Sequence, residues 1–412
     1  MFLPVTRARN PKLIEAAFAL HAAGVVPPDT YLIDLDTVAH NARALAAEAD
    51  RLGLTLWFVV KQIGRNPLVT AAVARSIPRA AAIDGREAER LVAGGAGLGN
   101  VGHLVQIPVR DLDDVLARRP SVVTVYDEEN LRAVGVAATR AGIVQDLLLR
   151  IAGAPEDVYP GQEGGFDPDE VSGISRLAAG VPGVRVAGVT GFACVLYSEA
   201  EQRPVPTATL ARVLAAAAVL RAEGMEQPIV DLPSLSSVAT LPELARLGAT
   251  HAEPGHALTG TTPYHAVNGS LVEIPSMVYL TEIAHQDAIG PSVFGGGFYD
   301  RAHALNAMVR TAGGDVAASV REEPAEFIDY YRRIDPDGPV RVGDGVVMAF
   351  RTQIFVTRSL VAVVSGLAGD APVLEGFFDA NGRPVRPGDL RVGAGDRPLP
   401  GGWSFGSAVS AS

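Results

Sequence analysis

From "YLIDLD" (31 to 36) onward to residue 255 the pattern is regular, and short apolar, β-branched runs alternate with helix-forming stretches rich in Ala, Leu and Arg. The runs are "LWFVVK" (56 to 61), "RAAAID" (79 to 84), "HLVQIP" (103 to 108), "SVVTVYD" (121 to 127), "DLLLRI" (146 to 151), "VRVAGVTGFA" (184 to 193), "PIVDLPS" (228 to 234) and "THAEPG" (250 to 255). Runs that are apolar throughout need cover on both faces, which a parallel sheet with helical crossovers supplies. Eight repeats without a ninth predict an α/β fold of the (β/α)8, TIM-barrel type, with an open doubly wound sheet as the alternative.

Past about residue 268 the pattern becomes alternating segments such as "LVEIPSMVYLTEIAHQ" and "GDGVVMAFRTQIFVTR" with Gly and Asp turns, which predicts a mainly β C-terminal domain. The expected organisation is an N-terminal helical extension and linker over 1–29, a barrel over 30–265, a β domain over 266–390 and a peripheral or mobile Gly-, Pro- and Ser-rich tail over 391–412. In the extension, Pro11 starts a helix and "VVPPDT" forms a stiff linker.

Hydrophobic residues at 48% and charged ones at 20% give a large core. A net charge of −11 without a basic run argues against nucleic acid or an anionic membrane as partner. Cys194 is the single cysteine, so no internal disulfide forms, and charges with a proline interrupt the apolar runs of the N-terminus. A cytoplasmic location is expected.

In a parallel barrel, function lies at the C-terminal ends of the strands. The first run ends in Lys61. Burial in an apolar wall lowers an amine's pKa and prepares it to attack a carbonyl, although a lone lysine in that place is more often one that snorkels at the rim. The loops of "PSLSSV" and "EPGHALTG" add hydroxyls and Gly-flanked amides after the seventh and eighth runs, where barrels commonly hold a phosphate. A reactive lysine facing a phosphate cradle suits pyridoxal 5'-phosphate, whose aldehyde and phosphate project from different parts of one ring.

The blocks "YLIDLDTVAHNARAL", "FVVKQIGRNP", "AAIDGREAERLVAGGA" and "AEPGHALTG" resemble the alanine racemase type of pyridoxal phosphate enzyme, and more nearly its YhfX-type branch, over roughly residues 30 to 390. The resemblance implies a barrel followed by a β domain, a head-to-tail homodimer, an amino acid substrate and a Schiff-base lysine at Lys61. It puts Glu253 where alanine racemases carry an Arg against the pyridine nitrogen; a carboxylate would keep a proton there and make the ring a stronger electron sink. It further implies cofactor contacts for Arg65, in place of a phosphate-binding Tyr, and for Arg150, in place of a Lys near the phenolic oxygen. Phe192 replaces a stacking His, Ser236 matches a phosphate-binding Ser with Ser237 beside it, and Gly255 and His256 offer backbone N–H groups. The second base is a Tyr from the partner subunit, which falls on Tyr299 in "GGGFYDR", with Cys194, His256 and His303 as competitors.

Gln162 and Glu163 in "YPGQEGGF" could meet the substrate or form a plain Gly turn, and neither Arg351 nor Arg358 can be assigned to its carboxylate. "GLGNVG" (97 to 102) reads as a helix C-cap and loop, and no metal site is expected, because Pro254 keeps the histidines of "HAEPGH" off one helical face. The expected activity is amino acid racemisation or epimerisation. A retro-aldol lyase, a non-catalytic cofactor-handling protein and a cofactor-free barrel hydrolase are the alternatives.

Overall fold

The structure is a computed structural model that describes residues 1–299, 302–324, 326–369, 371–386, 389–390 and 397–406. The chain divides into two compact units, one made of residues 42–60 and 70–257, the other of residues 1–41, 61–69 and 258–412. In chain order the first strands are β1 (Thr30–Asp34), β2 (Thr55–Leu56), β3 (Arg79–Ala82), β4 (Gly97–Val101), β5 (Val122–Val125), β6 (Gln145–Arg150), β7 (Val184–Thr190), β8 (Val195–Ser198), β9 (Arg203–Pro206), β10 (Ile229–Asp231) and β11 (His251–Ala252).

Unit 42–60 and 70–257 is the predicted barrel. Among the described residues its eight strands lie in the order β2-β11-β10-β7-β6-β5-β4-β3, each neighbouring pair parallel. The circle closes just beyond β2: Phe58 N donates to Arg79 O at 3.1 Å and Ala81 N to Phe58 O at 2.9 Å. Apolar residues on both faces make this arrangement stable: every residue of β5 is buried, as are the last four of β4 and of β6. Asp84, Asp127 and Thr207 accept hydrogen bonds from Glu87 N, Asn130 N and Leu210 N and so start three of the covering helices at the strand-to-helix turn. The antiparallel hairpin β8–β9 is inserted between β7 and the helix Ala208–Ala222.

The barrel interior is packed by Trp57, Val59, Ala81, Ile83, Val122 and Leu148. Here one sequence reading is corrected. "GLGNVG" is strand β4, not a helix cap and loop, and "HLVQIP" follows it as bends and loop. Two glycines lower strand propensity, which hides β4 from pattern reading, yet Gly99 is what makes room for the indole. A Cβ on Gly99 would stand 2.2 Å from Trp57 Cδ1.

The later strands are β12 (Met277–Asp287), β13 (Gly290–Phe294), β14 (Asn306–Thr311), β15 (Gly314–Val320), β16 (Tyr331–Pro336), β17 (Gly345–Met348), β18 (Leu360–Ser365), β19 (Val373–Phe378), β20 (Pro384–Val385) and β21 (Ser404–Phe405). In the second unit β12, β13, β16, β15, β14 and β17 form a closed antiparallel ring, because the long β12 pairs with β17 along Tyr279–Glu282 and with β13 further on. The sheet continues from β12 through β1 and β18 to β19.

The boundaries therefore differ from 30–265 and 266–390. Strand β1 pairs antiparallel with β12 and parallel with β18, so it belongs to the β unit. Its five buried residues read the same in either kind of sheet, and its partners are remote in sequence. The N-terminal segment is likewise no appendage: the helix Pro11–Ala22 packs on β12 and β17, with Leu13, Ile14, Phe18 and Leu20 buried. Within the tail, β21 pairs parallel with β19, while residues 391–396 and 407–412 lie outside the described residues. Among the described residues no helix is long and apolar enough to cross a membrane.

Replacing Gly99 by Ala pushes a methyl into the Trp57 ring and should cost about 1–3 kcal/mol. The expected result is a lower urea midpoint with altered tryptophan emission, and an unchanged midpoint would contradict the packing described.

Candidate functional site

The C-terminal ends of the barrel strands carry polar side chains that are almost wholly buried. Glu253, just after β11, is 7% exposed, and His103, just after β4, is 1% exposed. His103 Nδ1 lies 2.8 Å from Glu253 Oε2, so with a carboxylate as acceptor this nitrogen carries the proton. Asn100 on β4 donates its Nδ2 to Glu253 Oε1 at 3.1 Å and accepts from Thr124 Oγ1 at 2.7 Å. Asp231, which ends β10, accepts from Thr190 Oγ1 at 2.8 Å. One nitrogen or oxygen atom of each of His103, Asp231 and Glu253 lies within 4.8 Å of the other two. Burial, and then the neighbouring Glu253, push the Asp231 carboxyl well above the usual carboxylate range.

Arg150, fully buried at the end of β6, donates Nε to Gly164 O at 3.0 Å, Nη1 to His103 O at 3.2 Å and Nη2 to Gln162 O at 3.0 Å. Its guanidinium also lies 4.9 Å from the Tyr126 ring centre. Three of its five N–H groups thus hold the loops after β4 and β6 in register, including the "YPGQEGGF" turn. Phe192, beyond β7, meets the His103 ring edge-on at 6.1 Å and Tyr159 at 5.8 Å. Cys194 is fully buried, donates to Gly191 O at 3.3 Å and has its thiol pushed up by burial, so it remains a neutral thiol.

The loop after β10 folds on itself. Ser234 and Leu235 take positive φ values of 93° and 48°, Ser237 N donates to Thr240 Oγ1 at 2.9 Å, and Thr240 Oγ1 donates to Leu235 O at 2.6 Å. This turn buries Ser236 to 3% exposure, and its Oγ has no hydrogen-bond partner among the described residues. A buried hydroxyl left without a partner costs about 1–3 kcal/mol, which an arriving anion can offset. Gly255 and His256 are half-buried, and His256 opens a short 3-10 turn.

Lys61, Arg65 and Tyr299 belong to the β unit. Lys61 is partly buried and opens the 3-10 turn Lys61–Ile63. Arg65, 6% exposed with φ 53°, lies 5.2 Å from the Phe355 ring centre and donates to Asn381 Oδ1 at 3.4 Å. Tyr299 follows a segment held from two sides. Asp329 Oδ2 accepts from Gly296 N at 2.8 Å and from Phe298 N at 3.1 Å, and the Tyr31 hydroxyl donates to Gly297 O. Behind this loop Asp29 accepts from Tyr279 Oη at 3.0 Å and from Ser359 Oγ, with Arg358 Nε 3.9 Å away. Burial raises the Asp29 carboxyl from an ordinary 3.8 to about 6.

The sequence reading passed over His103, Asn100, Asp231, Asp29 and Asp329. The sequence pattern puts His103 at the start of a strand, whereas β4 spans 97–101 and leaves His103 just past a strand's C-terminal end, the position where barrel function lies. Asp231 had its signal in plain view, as a carboxylate closing the apolar run "PIVD".

Residues 33–263 match the model of the alanine racemase N-terminal domain, and residues 278–374 that of the YhfX-like C-terminal domain. The Escherichia coli K12 protein YhfX, itself described as uncharacterized, is 36% identical over 93% of this chain and 99% of its own. The chain belongs to the alanine racemase family. Solved structures agree on the fold: D-threonine aldolase from Filomicrobium marinum at 18% identity and TM-score 0.65, over 87% of this chain and 96% of that one. Alanine racemase of Clostridium difficile 630, in complex with cycloserine, has 16% identity and TM-score 0.60 over 86% and 99% of the two chains. Diaminopimelate decarboxylase from Helicobacter pylori has 14% identity and TM-score 0.62 over 89% and 96%.

The family is pyridoxal phosphate-dependent, and the residues present fit that cofactor. The buried Ser236 hydroxyl, without a partner among the described residues, suits a phosphate, and the donor-held Glu253 carboxylate suits a protonated ring nitrogen.

Asp29 yields a pH dependence. Its folded pKa lies above its unfolded one, so its contribution is fully present below about pH 4 and is lost as the pH rises through about 6, by about 3 kcal/mol at most. Denaturant unfolding of Asp29→Asn should lack this decline between about pH 4 and pH 7. An identical decline in the variant would count against the assignment.

Proposed function

We propose that the protein is an amino acid racemase or epimerase that removes and returns an α-proton, working as a homodimer. The observation that carries this reading is the buried Glu253, which receives N–H groups from Asn100 and His103 and so can remain a carboxylate opposite a ring nitrogen. When bound, pyridoxal phosphate supplies an electron sink for the substrate's α-carbon. Ser236 and Ser237, with the backbone N–H groups of Gly255 and His256, bind the phosphate, and Arg65 and Arg150 complete the cofactor's contacts. The Lys61 amine holds the cofactor and exchanges the α-proton on one face of the substrate. Tyr299 of the partner subunit serves the other face, and the hydrogen bonds of Asp329 to Gly296 and Phe298 support this role by fixing the Tyr299 loop. Phe192 packs against the ring.

One observation favours a second reading: the similarity in fold to a D-threonine aldolase. A retro-aldol lyase on a β-hydroxy amino acid would need the same Lys61 and Glu253, and would release glycine and an aldehyde.

Incubation with a panel of L- and D-amino acids in heavy water separates the two. A racemase exchanges the α-hydrogen of at least one pair and accumulates the opposite enantiomer; glycine plus aldehyde from a β-hydroxy substrate would establish the lyase, and no exchange across the panel would refute the proposal. Lys61→Ala should lower exchange by about 10²–10⁴-fold. Tyr299→Phe should abolish inversion while leaving exchange of one enantiomer, and equal loss for both enantiomers would remove Tyr299 from the second face.

A further inference from the structure

Asp231 and Glu253 put two carboxyl groups in one buried cluster, and their surroundings are unequal. Among the described residues Glu253 has at least two N–H donors, Asn100 Nδ2 and His103 Nδ1. Asp231 has one, the Thr190 hydroxyl, directed at Oδ2. Its other oxygen, Oδ1, is buried and receives no donor among the described residues, and a carboxylate oxygen of Asp231 lies within 4.8 Å of one of Glu253. Two acceptor-only carboxylates cannot bond each other, but one proton between them can satisfy both. Where like charges share a dry site, the proton goes to the group with fewer donors.

We propose that Asp231 is a permanently un-ionised carboxylic acid that donates through Oδ1 to Glu253, and so fixes Glu253 as the ionised member of the pair. Asp231 is then a positioning residue. Together with Asn100 and His103 it gives Glu253 three donors, and this holds the carboxylate in one orientation. The functional part rests on the reading in which Glu253 meets the cofactor's ring nitrogen; the protonation of Asp231 does not. The groups around the pair are compatible with it. His103 brings its Nδ1–H, Cys194 is a neutral buried thiol, and Arg150, the cation acting on both Glu253 and Cys194, is stapled to three backbone carbonyls. His251, opposite Asp231 in the β10–β11 register, is kept neutral by burial, which lowers its pKa to about 4.

The test needs no turnover. An acid protonated when folded but ionised when unfolded loses stability as the pH rises, and its asparagine variant does not. With the full-length chain as purified, and cofactor content matched, the ratio of unfolding constants, wild type over Asp231→Asn, should rise about tenfold per pH unit between about pH 5 and pH 7. A ratio independent of pH, as loss of an anionic ligand to a resident cation would give, overturns the proposal. Should Asp231→Asn fail to fold, infrared spectra of the wild type at about pH 8 decide: an un-ionised carboxyl C=O band that shifts in Thr190→Val supports it, and absence of the band, or a band unmoved by that change, overturns it. Absence of exchange across the amino acid panel would leave this result standing, and a flat ratio would leave the racemase reading standing.

Discussion

A carboxylate held at the end of a closed barrel persists only if the protein replaces the water it gave up, and Glu253 is the residue for which this chain makes that provision. The donors come from separate elements: Asn100 from β4 and His103 from the loop beyond it. Each is fixed in turn, Asn100 by Thr124 on β5 and the backbone of His103 by Arg150 on β6. Burying one ion thus recruits side chains from much of the strand circle. Removal of any one of them leaves a dry, under-satisfied group, which costs more than the hydrogen bond itself contributes.

Legibility in the sequence follows the range of the forces involved. The barrel was readable because cover on both faces demands continuous apolar runs, and seven of the eight runs mark the strands. The eighth was missed for a local reason: β4 gives up strand-forming residues for glycine so that Trp57 can fill the interior, and the space for one side chain is recorded as the absence of another. The candidate polar groups at strand ends were readable as types. Their partners were not, since Asn100 meets Glu253 across a separation of 153 residues.

The β unit shows the same limit from the other side. Nothing in "TYLID" says that its neighbours are β12 and β18, because a pentapeptide buried on both faces carries no label of direction. The Tyr299 loop was readable only through likeness to a family. What holds it, Asp329 against the amides of Gly296 and Phe298, is a pairing with no sequence spacing that pattern reading recognises.

The pairing of β1 has a consequence for synthesis. Thr30 lies opposite Leu280 on one side and Leu360 on the other, 250 and 330 residues later (280 − 30; 360 − 30). At roughly 5–20 residues per second, translation brings the first of these partners into existence about 10 to 50 s after β1 itself. Throughout that interval the residues of β1 lack both of the strands they pair with in the fold, while the strands of the barrel unit emerge in sequence.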